Sequence, residues 1–180
     1  SAEETTEDLK RRLKELDEKV KEVLKRNEDR VRELEEDVRR NLKKNEDDAR
    51  EVEERLKTSG GGDEEELRKR SEEYKKRMEE VKKRLEDESK KYKDEVRDVK
   101  RRLEEERKEV EDRTRTTDVK GEELLKEVED RVREIIKRIE EKLKRLNDRT
   151  REFIERIRRE LRKVNEETKK MIKELKEEED

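Results

Sequence analysis

Apolar residues recur along this chain at steps of three and four, with charged residues between them, a spacing that predicts amphipathic helices. In the first third they stand at Leu9, Leu13, Leu16, Val20 and Leu24, then Val31, Leu34, Val38 and Leu42, then Ala49, Val52 and Leu56. The steps from Val20 to Leu24 and from Val38 to Leu42 break a strict heptad. A period of 18 removes the breaks. Leu13, Val31 and Ala49 are 18 apart, as are Leu16, Leu34 and Val52, and Val20, Val38 and Leu56. The middle third repeats likewise in Leu67, Leu85 and Leu103, in Tyr74, Tyr92 and Val110, and in Val81 and Val99. The last third does so in Leu125, Leu143 and Leu161, in Val128, Leu146 and Val164, and in Ile139, Ile157 and Leu175. Eighteen residues make five turns of α-helix. A 3.5-residue period imposes a left-handed supercoil and 3.67 a right-handed one. The period of 3.6 predicts nearly straight helices, each about 80 Å long at 1.5 Å per residue.

Glycine occurs only at Gly60, Gly61, Gly62 and Gly121, and proline is absent. The predicted helices therefore cover about 3–57, 64–116 and 122–178, joined by links at 58–62 and 117–121 within one domain, 1–180. Asp63 offers a cap to the second helix, with Glu66 three residues on in capping-box register. The second helix is expected to end near Thr116 or Thr117, and Asp118 to cap the third. Glu64, Glu65 and Glu66, and Glu122 and Glu123, place negative charge in first turns, while Lys57, Arg113 and Arg115 place positive charge in last turns. Both choices oppose the helix macrodipole.

Links of about five residues force sequential helices to run antiparallel. Position i of the first helix then meets roughly 120 minus i in the second and i plus 119 in the third. This arithmetic groups Leu9 with Val110 and Val128, Asn27 with Tyr92 and Leu146, and Asn45 with Tyr74 and Val164. Where the first helix changes from Leu to Asn, the second changes from Val to Tyr. A second series groups Leu13 with Arg107 and Val132, Val31 with Ser89 and Thr150, and Ala49 with Ser71 and Thr168. A buried polar group needs a partner. Asn27 is thus expected to face Tyr92, Asn45 to face Tyr74, and each Ser to satisfy its Thr, which would also pin the register. The doublets Ile135-Ile136, Phe153-Ile154 and Met171-Ile172 widen the third stripe, either to fill the core or to form a seam for a second copy.

The remaining positions are overwhelmingly charged. Asp, Glu, Lys and Arg make up 65% of the 180 residues and hydrophobic residues 23%, yet the formal net charge is only −3. Disorder usually goes with a large net charge and no apolar pattern, whereas mixed charges at three- and four-residue spacing support helices. The absence of cysteine excludes disulfides and thiolate metal sites. The absence of histidine removes the commonest general base and metal ligand. No apolar run approaches the roughly 20 residues of a membrane span. Ser1-Ala2-Glu3-Glu4 resembles no signal or transit peptide. A soluble chain with no compartment address is expected.

Motifs able to carry chemistry are few. The carboxylate runs Glu104-Glu105-Glu106 and Glu177-Glu178-Glu179 read as solvated faces, because catalytic carboxylates need burial or a shaped pocket. Arg11-Arg12, Arg39-Arg40, Lys82-Lys83-Arg84 and Arg158-Arg159 are interleaved with acids and lack stacking aromatics, against nucleic-acid binding. Gly60-Gly61-Gly62 lacks the Lys and Ser/Thr of a phosphate loop. No catalytic, cofactor-binding or metal-binding residue is assigned.

With its 18-residue layers, Gly-rich links and Glu/Lys/Arg surface, the chain resembles the parametrically designed, untwisted antiparallel three-helix bundles. That resemblance spans nearly the whole chain. It implies an all-α, long, nearly straight up-down-up bundle, hyperstable and monomeric, with no natural activity, cofactor or partner. The Asn and Tyr layers depart from an all-aliphatic core. A spectrin-like repeat would use heptads and a core Trp, and a lone charged helix would need neither the stripe nor the Gly breaks. The alternative function is a coiled-coil-type interaction module or a homo-oligomer, and a homodimer would use the third helix.

Overall fold

The computed structural model describes residues 2–58 and 64–179. They form three α-helices, α1 (Ala2–Thr58), α2 (Glu64–Thr116) and α3 (Glu122–Glu179). Each helix ends within one residue of its expected bound. Gly60, Gly61, Gly62 and the capping-box residue Asp63 lie outside the described residues.

The chain divides into two compact units. The first comprises Ser1–Arg30 and Lys90–Asp148, and the second Val31–Ser89 and Arg149–Asp180. Each unit contains a stretch of all three helices. In the first, Asp17 pairs with Arg107 and Glu28 with Lys100, so α1 and α2 run antiparallel. Arg113 pairs with Glu127 and Glu106 with Arg138, so α2 and α3 do too. In the second unit Glu46 pairs with Lys82 and Glu53 with Lys75, and Glu88 pairs with Arg149 and Arg84 with Glu160. Hydrogen bonds between α1 and α3 join residues 116 to 121 apart, against the expected 119. Both units are antiparallel three-helix bundles in the expected register.

The first core gathers Leu16 and Val20 of α1, Val99 of α2, and Val128, Val132 and Ile135 of α3, all 3% exposed or less. The second centres on Val38, Val52, Leu85, Ile154 and Ile157. Burial of such side chains contributes roughly 1.5–3 kcal/mol each before ordering entropy is counted. The ion pairs at the helix seams are mostly solvent-accessible and contribute about 0–1 kcal/mol each. The apolar stripe therefore dominates folding and the charges mainly keep the outer faces hydrated.

Two local expectations fail. The residue capping α3 is Gly121, not Asp118. Leu125 N donates to Gly121 O at 3.1 Å, the first hydrogen bond of the helix, and Asp118 is exposed. Gly121 has φ +71, which an L side chain adopts only with strain, and this conformation lets the chain enter α3 where Asp118 would be too early. Thr117 instead turns the link: its buried hydroxyl accepts from Val119 N at 3.1 Å. Secondly, Leu124 rather than Leu125 enters the core, at 3% exposure, while Leu125 is half-buried. Leu124 continues the ridge of Val128 and Val132 at steps of four, so the first turn follows the local ridge rather than the 18-residue spacing.

Threonine hydroxyls close the helix ends. Thr58 donates to Arg55 O at 3.1 Å, Thr114 to Glu111 O at 2.7 Å and Thr116 to Asp112 O at 2.9 Å. Arg68 of α2 also donates to Leu56 O of α1 at 3.2 Å. Arg55 O and Leu56 O belong to the last turn of α1, where carbonyls commonly lack an intrahelical amide partner.

Candidate functional site

The chemically distinctive part of the interior is the set of buried polar side chains. Asn27 sits in the first core at 8% exposure. Its Nδ2 donates to Leu143 O at 3.4 Å, and its Oδ1 accepts from the Tyr92 hydroxyl. The expected Asn27–Tyr92 pair is therefore formed, and the side chain links α1 to both other helices.

Asn45 and Tyr74, the corresponding pair of the second unit, do not bond to each other. Asn45 Nδ2 donates to Leu161 O at 3.0 Å, while the Tyr74 hydroxyl donates to the carboxylate of Glu167. Burial, the Glu167 hydrogen bond and the charge of that carboxylate push the Tyr74 hydroxyl up to about 12. Arg70 and Arg77 oppose the shift, and Arg77 lies 6.0 Å from the ring centre. A carboxylate accepts more strongly than an amide oxygen, so Glu167 accepts the hydrogen bond expected to go to Asn45.

The Ser/Thr pairs do not satisfy one another either. Thr168, 1% exposed, donates to its own-helix carbonyl Val164 O at 2.6 Å. Ser71 Oγ and Thr150 Oγ1 are buried without a protein partner, and Ser89 is only half-buried. In a suitable rotamer a helix hydroxyl reaches the carbonyl four residues back, as Thr168 does, whereas a facing hydroxyl must span the gap between helices.

Asn147 and Asn165, 18 apart on α3, each bury an Oδ1 without a protein partner. Their spacing was the sequence signal for them. The same spacing marks Met78 and Val96, both buried on α2 beside the Leu and Tyr series.

Glu104 and Glu105 are exposed, and Glu106 pairs with Arg138 at 3.1 Å. Glu177 is exposed, and the side chains of Glu178 and Glu179 lie outside the described residues. Arg11 reaches Asp8 at 3.0 Å, Arg12 reaches Glu15 at 3.0 Å, and Arg40 reaches Asp37 at 3.8 Å. Lys82 lies 3.7 Å from Glu46, and Arg84 and Arg158 pair with Glu160 and Asp37. Basic residues thus alternate with carboxylates along the seams rather than forming a continuous cationic face. Among the described residues no group of three or more acidic side chains is placed to hold a metal ion, and no helix is long and apolar enough to cross a membrane. A surface groove of about 670 Å³ in the first unit places Lys10, Lys14 and Lys120 around Leu9 and Leu13. Its cations are solvated, so its attraction for anions is screened by salt.

No family of proteins, curated protein or solved structure matches the chain.

Proposed function

We propose that the chain is a de novo designed structural scaffold, a monomeric bundle built on an 18-residue repeat, with no natural biochemical activity. The observation that carries this reading is the fate of the apolar stripe. Large apolar side chains among the described residues are buried or half-buried, with none fully exposed, so the bundle consumes the hydrophobic surface that a partner would need. Inside it, Asn27 and Asn45 join α1 to its neighbours and Thr168 bonds within its own helix. Ion pairs such as Glu106 with Arg138 and Glu28 with Lys100 line the seams. A chain of this kind unfolds above about 90 °C and works without cofactor or catalytic residue.

Half-buried Leu34, Phe153 and Ile172 support the second reading, an interaction module or homo-oligomer, because they leave some apolar edge beside the second core. Small-angle X-ray scattering over a dilution series separates the two. The scaffold reading expects the mass of one chain at every concentration and a maximum dimension of about 80–90 Å, the length of straight helices of this size. A doubled mass that falls on dilution would replace it with the oligomer reading.

A further inference from the structure

Ser71 is 4% exposed and its Oγ has no protein partner. The register groups it with Ala49 and Thr168, 3% and 1% exposed. These are three small side chains in one layer of the second core. At the matching α1 positions the sequence carries Leu13 and Val31, so the side chain loses one carbon and then two more by Ala49. Interiors are close-packed, and lost carbons leave either a void or room for another molecule. The walls decide between these: apolar voids stay dry, whereas a polar site recruits water.

The chemistry of the two hydroxyls is complementary toward such a water. Thr168 commits its proton to Val164 O, so toward the core it can only accept. Ser71 can donate or accept. Backbone carbonyls of the same turns keep a second lone pair beyond the helix bond. We propose that the Ala49/Ser71/Thr168 layer is a binding site for one internal water, which donates to Thr168 Oγ1 and completes the hydrogen bonding of Ser71 Oγ. The water does what the direct Ser–Thr bond does not: it ties α2 to α3 at this level. Thr150 Oγ1, the other unpartnered hydroxyl, differs in its surroundings, because bulkier Val31 fills its layer and Ser89 is half-exposed to solvent.

A crystal structure at a resolution that shows ordered water tests the site. The expected result is a density peak about 2.7–2.8 Å from both Ser71 Oγ and Thr168 Oγ1, lost in Ser71→Ala while that variant keeps its helical circular dichroism. In solution, Ala49 is one of only two alanines, so a labelled Ala49 methyl gives a resolved probe of contact with slowly exchanging water. The proposal is overturned if the layer is dry, with Ser71 rotated to donate to a carbonyl of its own helix, or if the peak survives in Ser71→Ala.

Discussion

Asn27 and Asn45 stand 18 residues apart on α1, facing Tyr92 and Tyr74 of α2, yet the two units bond them differently. In the first unit the tyrosine closes on the asparagine, and in the second it turns to Glu167. The cause lies on α3. The 18-residue repeat makes Arg149 the counterpart of Glu167 on α3. A guanidinium has five donors and no acceptor, so Tyr92 cannot donate to Arg149 and donates its hydrogen bond to Asn27. Glu167 offers a charged acceptor, and Tyr74 takes it. A repeat of residue types in the core therefore does not guarantee a repeat of hydrogen bonds; the flanking charge decides where a buried hydroxyl points.

The comparison rests on apolar surroundings of equal strength, which core truncation tests with the largest effects. Ile135 and Ile154 are the deeply buried members of their doublets in the first and second units, at 0% and 2% exposure. Ile135→Ala and Ile154→Ala are each expected to lower the unfolding free energy by about 2–5 kcal/mol, read by guanidinium denaturation. Truncating the half-buried neighbour Ile136 to Ala should cost only about 1 kcal/mol. Equal losses at the two deep sites would assign the difference between units to the polar layers. Unequal losses would place it in the packing.

The tyrosines come next. Tyr92→Phe leaves Asn27 Oδ1 buried without its donor, at an expected cost of about 1–3 kcal/mol. Tyr74→Phe releases Glu167, an exposed side chain that water solvates, and should cost no more than about 1 kcal/mol. If Tyr74→Phe proves the costlier, the account of the two layers is wrong. Exchanging the flanking charge sharpens the test. In Glu167→Arg the Tyr74 hydroxyl should return to Asn45, and in Arg149→Glu the Tyr92 hydroxyl should leave Asn27. The side-chain amide resonances of the two asparagines report both moves.

Gly121 probes a feature found only in the first unit, the described link between α2 and α3. An added Cβ would meet no atom within 4 Å, so Gly121→Ala carries backbone strain without a clash. The expected loss is about 1 kcal/mol, with Gly121→Asn milder because Asn tolerates positive φ. A neutral Gly121→Ala in thermal or denaturant unfolding would mean that the link relaxes freely.

These contrasts also mark what the sequence could reveal. Helix bounds and antiparallel register were legible because apolar spacing and the two glycine sites determine them, and Asn27 with Tyr92 followed from the register. The acceptor of the Tyr74 hydroxyl was not, because it is set by the flanking positions Arg149 and Glu167, which lie outside the repeating core pattern. Ser71 and Thr168 are both buried, as their layer implies, but layer membership gives no distance between hydroxyls and ignores the own-helix carbonyl that Thr168 uses. Residue type points to Asp118 because a side-chain cap can be read from it, whereas the positive φ of Gly121 depends on the path of the link. Arg68 capping Leu56 O joins two helices at a place where no pattern within either one points to the other.

The smallest effect at neutral pH is the most selective, because it appears only in alkali. The Tyr74 hydroxyl is pushed from 10 up to about 12, first by burial and then by the Glu167 hydrogen bond and charge. Its folded form holds the proton more tightly than the unfolded chain, so the associated stability is complete below pH 10. It is lost as pH rises from 10 toward 12, where the unfolded state binds fewer protons than the folded one. In a Tyr92→Phe background Tyr74 is the sole tyrosine, and its ionisation can be followed by tyrosinate absorbance. The midpoint is expected well above 10, and Glu167→Ala should lower it without restoring 10, because burial remains. A midpoint unmoved by Glu167→Ala would mean that Tyr74 does not donate to Glu167 in solution, and the distinction between the two asparagine layers would fall with it.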